Sequence, residues 1–240
     1  MGTSAIPARA DLGNDVPGIL RCLPRMGKVM LTTRLNGATH ERIGPVAEVF
    51  LKDGIVACRG AMHDSRIDPA AIASVIVDRT GRMRDTVLPR LDFRDAEAQV
   101  VFSIVGMEGP EAFDTGLAAI GVGTPLPEEE KPEREPATLG ENDPGALPFE
   151  AAARAAEAIR IEIDRPGLHQ AWSGKVEAVK PGMGFINVMQ PDFHLHLRGG
   201  AVASWKKEVA GDRTVLRAIG PNGMPIGLSV HGLASIFSGL

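Results

Sequence analysis

The chain has 240 residues, enough for one large or two small domains with a sizeable core. Hydrophobic residues make up 44% and charged residues 23%, and the formal net charge of −4 gives no reason to expect binding to nucleic acid or to an anionic membrane surface. No segment approaches the roughly 20 apolar residues of a membrane span, so we expect no membrane insertion. The two cysteines, Cys22 and Cys58, have no Cys-x-x-Cys spacing and are expected to be free thiols in the cytoplasm.

Strand patterns dominate the first half of the chain, between two predicted helices. The helices are expected within DLGNDVPGILRCLPRM and GPEAFDTGLAAIG. Between them, KVMLTTRL, VAEVFLKDGIVACRG, AIASVIVDR and AQVVFSIVG are rich in Val, Ile, Thr and Phe and are separated by Asn-Gly, Asp-Gly or single glycines. These segments predict strands joined by tight turns, because Gly and Asn reach positive φ at low cost.

An acidic segment rich in proline, residues 125–148, separates the two halves. Residues 128–143 alone carry seven acidic and two basic residues, and large apolar side chains are few. This composition buries too little surface to offset the entropy of ordering, so we predict an exposed linker. The alanine-rich FEAAARAAEAIR that follows predicts a short helix. The second half then returns to strand patterns, of which IRIEID alternates apolar and charged residues strictly.

The two halves resemble each other at an offset of about 130 residues. ATHERIGPVAEVFLKDG has a counterpart in LHQAWSGKVEAVKPG, and MHDSRIDPAAIASVIV has one in FHLHLRGGAVASWKKEV, which aligns Arg66 with Arg198. The alternative is that two strand-rich segments look alike through composition alone. We favour a duplicated antiparallel unit, since the offset is the same in both places.

The best-known catalytic motifs are missing from the sequence: it has no Gly-x-Ser-x-Gly elbow, no phosphate-binding loop and no His-Glu-x-x-His. FHLHLR is of interest because His194, His196 and Arg198 would lie on one face of a strand, with the apolar residues between them on the other. Two imidazoles and a guanidinium suit a metal ion or an anionic planar ligand. They equally suit an outward strand face whose histidines bond to neighbouring loops.

GFINVMQPDFHLHLR is similar to the hallmark run of the haem-utilisation, or hemin-degrading-factor, family of the HemS/ChuS type, in which Trp-Leu-Asn-Val-Leu-Asp-Pro-x-Phe-Asn-Leu-His-Leu-Arg is typical. The matching residues are Asn187, Val188, Pro191, Phe193, Leu195, His196, Leu197 and Arg198. In the first half, LPRMGKVMLTTRLNGATHERIGPV resembles a second family segment. There the matching residues are Gly27, Val29, Met30, Thr33, Arg34, His40, Glu41 and Gly44.

The resemblance implies an α+β fold that is mainly antiparallel β, with two repeated sheet units and flanking helices. We expect an N-terminal HemS/ChuX-like repeat over residues 1–124, the linker over 125–148 and a C-terminal HemS/ChuX-like repeat over 149–240. It also implies cytoplasmic haem binding and handover in iron metabolism, with haem breakdown in some relatives.

The chain departs from this family where the family holds haem. The family's iron-ligating histidine lies in a helical region between the halves, which is replaced here by the acidic linker and FEAAARAAEAIR, neither of which has a histidine. The family pocket uses tyrosines, and this chain has none. LHQAWSG also places Trp172 where relatives have a histidine. The principal iron ligand is therefore not carried over.

Candidate haem contacts come from the remaining six histidines and from arginines. Neutral imidazole ligates haem iron, and arginine pairs with propionates. We therefore expect His194 or His196 at the iron and Arg198, Arg90 and Arg66 near the carboxylates. Arg90 lies close to a family arginine that faces the haem on its distal side. The alternative for His196 is a structural role across the sheet.

Three interpretations of function follow. The first is a cytoplasmic protein that binds or carries haem or a related tetrapyrrole, and exposed sheet edges would allow it to form a homodimer. The second is a degenerate family member without haem binding, acting as an interaction or regulatory module. Haem degradation ranks last, because no residue stands as a clear iron ligand in the family's position. His40, in the turn-like NGATHERIG, is expected to cap or bridge a hairpin rather than contact a ligand.

Overall fold

The structure is a computed structural model that describes residues 6–129 and 136–240. These residues form two compact units. Unit 1 holds residues 6–32, 43–129 and 166–168, and unit 2 holds residues 33–42, 136–165 and 169–240. Residues 130–135 of the expected linker lie outside the described residues, and the boundaries at 124/125 and 148/149 stay predictions.

Unit 1 consists mainly of short strands, as its β-branched patterns predict. The elements that begin in the first half of the chain are β1 (Arg9–Asp11), α1 (Val16–Leu20), β2 (Lys28–Leu35), β3 (Ala38–Pro45), β4 (Glu48–Lys52), β5 (Ile55–Gly60), β6 (His63–Ile67), β7 (Ser74–Asp78), β8 (Arg82–Met83), β9 (Thr86–Val87), β10 (Arg90–Arg94), β11 (Val100–Gly106), α2 (Pro110–Leu117) and β12 (Thr124–Pro125). Hydrogen bonds order the strands of unit 1 as β12-β1-β7-β10-β11-β2 and β6-β5-β4, while β8 and β9 pair with each other. The hairpin of β2 and β3 extends into unit 2, to which residues 33–42 belong.

Unit 2 contains the remaining strands. They are preceded by one helix, and the elements are α3 (Leu147–Ala155), β13 (Ala158–Arg165), β14 (Leu168–Lys175), β15 (Val179–Gly182), β16 (Phe185–Gln190), β17 (Phe193–Arg198), β18 (Ser204–Ala210), β19 (Arg213–Ile219) and β20 (Pro225–Leu233). The strand order is β18-β19-β20-β13-β14 and β3-β17-β16-β15. Strand β3, from the first half of the chain, pairs antiparallel with β17, and β17 pairs antiparallel with β16.

The strands repeat at a constant offset, which confirms two repeated and mainly antiparallel sheet units. Strands β2, β3, β5 and β6 begin at residues 28, 38, 55 and 63, and β13, β14, β16 and β17 begin at 158, 168, 185 and 193. The order β7-β10-β11-β2 in unit 1 matches β18-β19-β20-β13 in unit 2. The same offset aligns Arg66 with His196, so the alignment of Arg66 with Arg198 made from the sequence is wrong by two residues.

Each unit has a buried core of its own. In unit 1 Phe93 stacks on Phe102 with ring centroids 4.2 Å apart, and in unit 2 Trp172 stacks on Phe193 at 4.7 Å. The helix expected in the alanine-rich segment is α3, which ends at Ala155; Ala156 takes the left-handed conformation, and β13 begins at Ala158. Of the helices in the described residues, none has the length and apolar content that crossing a bilayer demands.

Candidate functional site

Strand β17 presents the predicted histidines on one face. The three apolar residues of FHLHLR are buried and the three polar ones are partly exposed, so the side chains alternate as the sequence predicts. Because β17 lies between β3 and β16, its neighbours complete this face. Glu41 of β3 stands opposite His194, and Asn187 of β16 stands opposite His196.

Glu41 faces both histidines. Its Oε2 lies 3.3 Å from Nδ1 of His194 and 3.8 Å from Nε2 of His196. One ligand atom from each of the three residues lies within 4.8 Å of the others, and within residues 6–129 and 136–240 this is the one group of three or more His, Cys, Asp or Glu so arranged. We call Glu41, His194 and His196 the β17 cluster.

The histidines keep the carboxyl of Glu41 ionised. Burial by itself raises its pKa, but the contacts with His194 and His196 outweigh burial and lower the pKa to about 2. At neutral pH the β17 cluster therefore combines one carboxylate with two imidazoles.

Asn187 fixes the orientation of the His196 ring. Its amide nitrogen donates to the carbonyl of Lys180 at 2.9 Å and to that of Phe185 at 3.3 Å, so the amide oxygen faces the other way. That oxygen lies 2.7 Å from Nδ1 of His196 and accepts its proton. Nε2, the other ring nitrogen, faces Glu41; it donates to the carboxylate when it carries a proton and has a free lone pair when it does not.

His40 has a structural role, as expected. Its ring is buried, its Nε2 donates to the carbonyl of Ile161 at 3.3 Å, and Gln170 donates to its Nδ1 at 2.9 Å. Burial lowers the pKa of His40 to about 3, so the ring is neutral. It bridges β3 to the hairpin of β13 and β14 and meets Phe193 edge-on at 4.8 Å. Trp172, at the position of a family histidine, is also core.

The five residues expected to contact haem are divided between the units. His194, His196 and Arg198 share β17 in unit 2, whereas Arg66 on β6 and Arg90 on β10 belong to unit 1. Arg66 is exposed.

Arg90 is engaged with two carboxylates. Its Nη2 lies 3.2 Å from Oδ2 of Asp78, and its Nε lies 3.0 Å from Oδ2 of Asp92. Both carboxylates are buried, at 3% and 2% exposure, so the charge of Arg90 is already matched inside unit 1.

A second pair of histidine and carboxylate lies outside the β17 cluster. Nε2 of His231 lies 3.2 Å from Oε2 of Glu162 and 3.0 Å from Oγ of Ser229. The hydrogen bond from His231 lowers the pKa of Glu162 to about 2 despite burial, and Arg160 contributes as well. This pair resembles His194 and Glu41, because a histidine contacts a carboxylate in both. In the described residues, however, no second histidine is grouped with Glu162.

Sequence reasoning did not select Glu41 or Asn187 as site residues. Both stand in the segments that resemble the haem-utilisation family, which was a usable signal. What no local pattern reveals is the pairing of β3 with β17, which joins residues far apart in the chain.

Comparison with solved structures identifies the fold. Holo-PhuS, a heme-binding protein from Pseudomonas aeruginosa, matches with a TM-score of 0.73 and 19% identity over 94% of this chain and 81% of its own. Apo-PhuS gives 0.72 and 20% over the same shares. ChuS, an Escherichia coli heme oxygenase, gives 0.74 and 19% over 94% and 83%.

No protein-family model and no curated protein sequence matches the chain. The chain has the fold of PhuS and ChuS across nearly its whole length, which confirms the α+β architecture implied by the hallmark segments.

Proposed function

We propose that the protein binds haem or a related tetrapyrrole as a carrier in the cytoplasm. The observation that supports this most is a pair of partly exposed imidazoles, oriented by Glu41 and Asn187, in a fold shared with the heme-binding protein PhuS. Two free cysteines, Cys22 and Cys58, suit a reducing compartment.

His194 is the preferred iron ligand. Its Nδ1 faces the Glu41 carboxylate at 3.3 Å, which leaves Nε2 for iron. Ligating histidines commonly donate their other nitrogen to a carboxylate, which raises their basicity. His196 ranks second, since its Nδ1 is held by Asn187 and its Nε2 faces Glu41.

The propionates would be held by arginine. Arg198 ranks first because it lies two residues beyond His196 on the same strand. Arg66 is exposed, so a propionate could reach its guanidinium. Arg90 would have to break its ion pairs with Asp78 and Asp92 before it could bind a propionate. When bound, the group supplies iron that accepts an imidazole nitrogen.

The alternative is a module of the same fold that does not bind haem. The engagement of Arg90 with Asp78 and Asp92 favours it, as does the burial of Trp172 at the position of a family histidine. Such a protein would use its exposed strands for interaction with another macromolecule.

A hemin titration followed at the Soret band separates these proposals. We expect saturable binding at micromolar hemin, a loss of at least tenfold in affinity with an altered band for His194→Ala, and near-complete loss for the double variant His194→Ala/His196→Ala. His231→Ala is the matched control, since its side chain is 30% exposed and contacts a carboxylate in the same way.

Two outcomes contradict the proposal. No saturable Soret shift would favour the module without haem. Equal affinities in the wild type and the double variant would refute the ligand assignment. Haem degradation has its own test, because a haem spectrum that stays intact with ascorbate argues against turnover.

The proposed homodimer would pair sheet edges. Strands β15 and β18 are the outer strands within unit 2, and β18 is exposed along most of its length. Lysine and proline on an edge strand oppose pairing; β18 carries Lys206 and Lys207, and β15 carries Lys180 and Pro181. Neither edge is therefore favoured over the other, and sedimentation velocity of the wild type tests for a dimer.

A further inference from the structure

We propose that the β17 cluster is a binding site for a divalent transition metal ion of the Zn²⁺ or Fe²⁺ class. The site does not depend on haem binding. It uses Glu41, His194 and His196 as ligands and Asn187 as the residue that orients one of them.

The spacing of the ligand atoms fits such an ion. Two atoms bound at roughly 2.0–2.1 Å to a tetrahedral ion stand about 3.3–3.4 Å apart. Oε2 of Glu41 already lies 3.3 Å from Nδ1 of His194 and 3.8 Å from Nε2 of His196. The two imidazole nitrogens lie within 4.8 Å of each other, so coordination requires side-chain rotations that bring them closer together.

The ligand chemistry selects the class of metal. Two imidazoles and one carboxylate suit Zn²⁺ and non-haem Fe²⁺, whereas Mg²⁺ and Ca²⁺ prefer oxygen ligands alone. The carboxylate is ionised and supplies one negative charge against the ion. With three protein ligands, a fourth position stays open to water or to an exogenous ligand.

The surroundings prepare both histidines for this role. Asn187 holds one proton of His196 on Nδ1, so Nε2, which faces Glu41, is the nitrogen that loses its proton and binds the ion. His194 would bind through Nδ1 and carry its proton on Nε2. Its side chain is 26% exposed and that of His196 is 30% exposed, so water can exchange the proton and the ion can enter.

Metal and haem would exclude each other at His194. Haem iron is expected at Nε2, while the divalent ion takes Nδ1 and leaves a proton on Nε2. This consequence rests on the proposed haem function, whereas the metal site itself does not. Bound Zn²⁺ is therefore expected to weaken haem binding at least tenfold in the wild type.

Calorimetric titration of Zn²⁺ into tag-free, chelator-treated protein tests the site. We expect one ion per chain. Glu41→Gln, His194→Ala and His196→Ala should each weaken binding at least tenfold, and Asn187→Ala should weaken it about 10–100-fold with unchanged stoichiometry. His231→Ala should match the wild type. Failure to saturate, or equal affinity in all variants, overturns the proposal.

Long-range ¹H–¹⁵N spectra of the wild-type histidines give a test that does not depend on the folding of variants. Zn²⁺ should shift Nδ1 of His194 and Nε2 of His196 and leave His231 unchanged; shifts confined to other histidines refute the site. Hemin titration of Zn²⁺-loaded protein then separates the two functions. Zinc binding without haem binding refutes only the haem proposal, and haem binding unaffected by Zn²⁺ refutes the exclusion.

Discussion

Glu41 and Glu162 each contact a histidine on a strand face. Of the two, Glu41 belongs to a group of three residues that could bind a metal ion. Glu162 receives the hydrogen bond of His231 and the charge of Arg160, so its carboxylate is satisfied by a guanidinium and one imidazole. Glu41 lies within 4 Å of two imidazoles, those of His194 and His196. The second imidazole at Glu41 makes the difference.

The pH dependence of stability tests the charge of Glu162. Its pKa falls from 4.5 to about 2 on folding, so its carboxylate stabilises the folded protein above pH 4.5, and this contribution is lost as the pH falls towards 2. We expect Glu162→Gln to lower the free energy of unfolding by roughly 1 kcal/mol at pH 6 and by much less at pH 2.5. Urea unfolding followed by tryptophan fluorescence measures this, since Trp172 and Trp205 share unit 2 with Glu162.

The control for this measurement is Glu208→Gln, because the Glu208 side chain is 45% exposed. It should change stability little at either pH. An equal cost of Glu162→Gln at pH 6 and pH 2.5 would contradict the assignment to the carboxylate.

The hairpin of β2 and β3 positions Glu41, and its turn is Asn36–Gly37. Both turn residues have positive φ, 46° and 89°, as the Asn-Gly sequence predicts for a two-residue hairpin turn. A Cβ on Gly37 would stand 2.6 Å from Cβ of Ala201, so this turn also fits closely against the chain after β17. The turn between β4 and β5 has the same conformation at Asp53 and Gly54 without such a neighbour.

Two alanine substitutions separate backbone strain from close packing. Gly54→Ala should cost roughly 1 kcal/mol for the left-handed conformation alone, because nothing lies within 4 Å of the added Cβ. Gly37→Ala should cost roughly 2–4 kcal/mol, because it adds the clash with Ala201. Urea unfolding measures both, and equal costs would show that the contact with Ala201 relaxes freely.

At the scale of the whole molecule, burial decides whether reagents in solution can reach the two cysteine thiols. Both cysteines lie in the core of unit 1, at 2% and 0% exposure. Burial raises the pKa of Cys58 to about 12, so its thiolate is scarce at neutral pH. A thiol reagent therefore reaches Cys58 only when unit 1 opens.

Thiol labelling of the native protein tests this arrangement. We expect no fast reaction of either Cys22 or Cys58 with a disulfide reagent at pH 7.5, and two reactive thiols per chain in urea. The urea sample is the internal control for reagent and concentration. Rapid native labelling of one thiol would show that part of the unit 1 core opens readily.

Local patterns predicted the elements well where one physical signal dominates. KVMLTTRL and FHLHLR match β2 and β17 to the residue, because β-branched or alternating side chains fit a half-buried strand. AIASVIVDR was less exact. Its strand begins only at Ser74, because Asp68 and Pro69 start a 3-10 turn before it. Within the repeat, the alignment of Arg66 with Arg198 was two residues off, because the match of one arginine to another ignored the strand positions.

The sequence by itself determined the strands, the repeat and the alternation that exposes His194 and His196, because these depend on the period of side chains along one segment. Only the tertiary structure decided that Glu41 faces both histidines, that Asn187 orients one of them and that Arg90 is bound to carboxylates. These contacts depend on which distant strands become neighbours. Hydrogen-bonded pairing sets that across the sheet, and no local pattern encodes it.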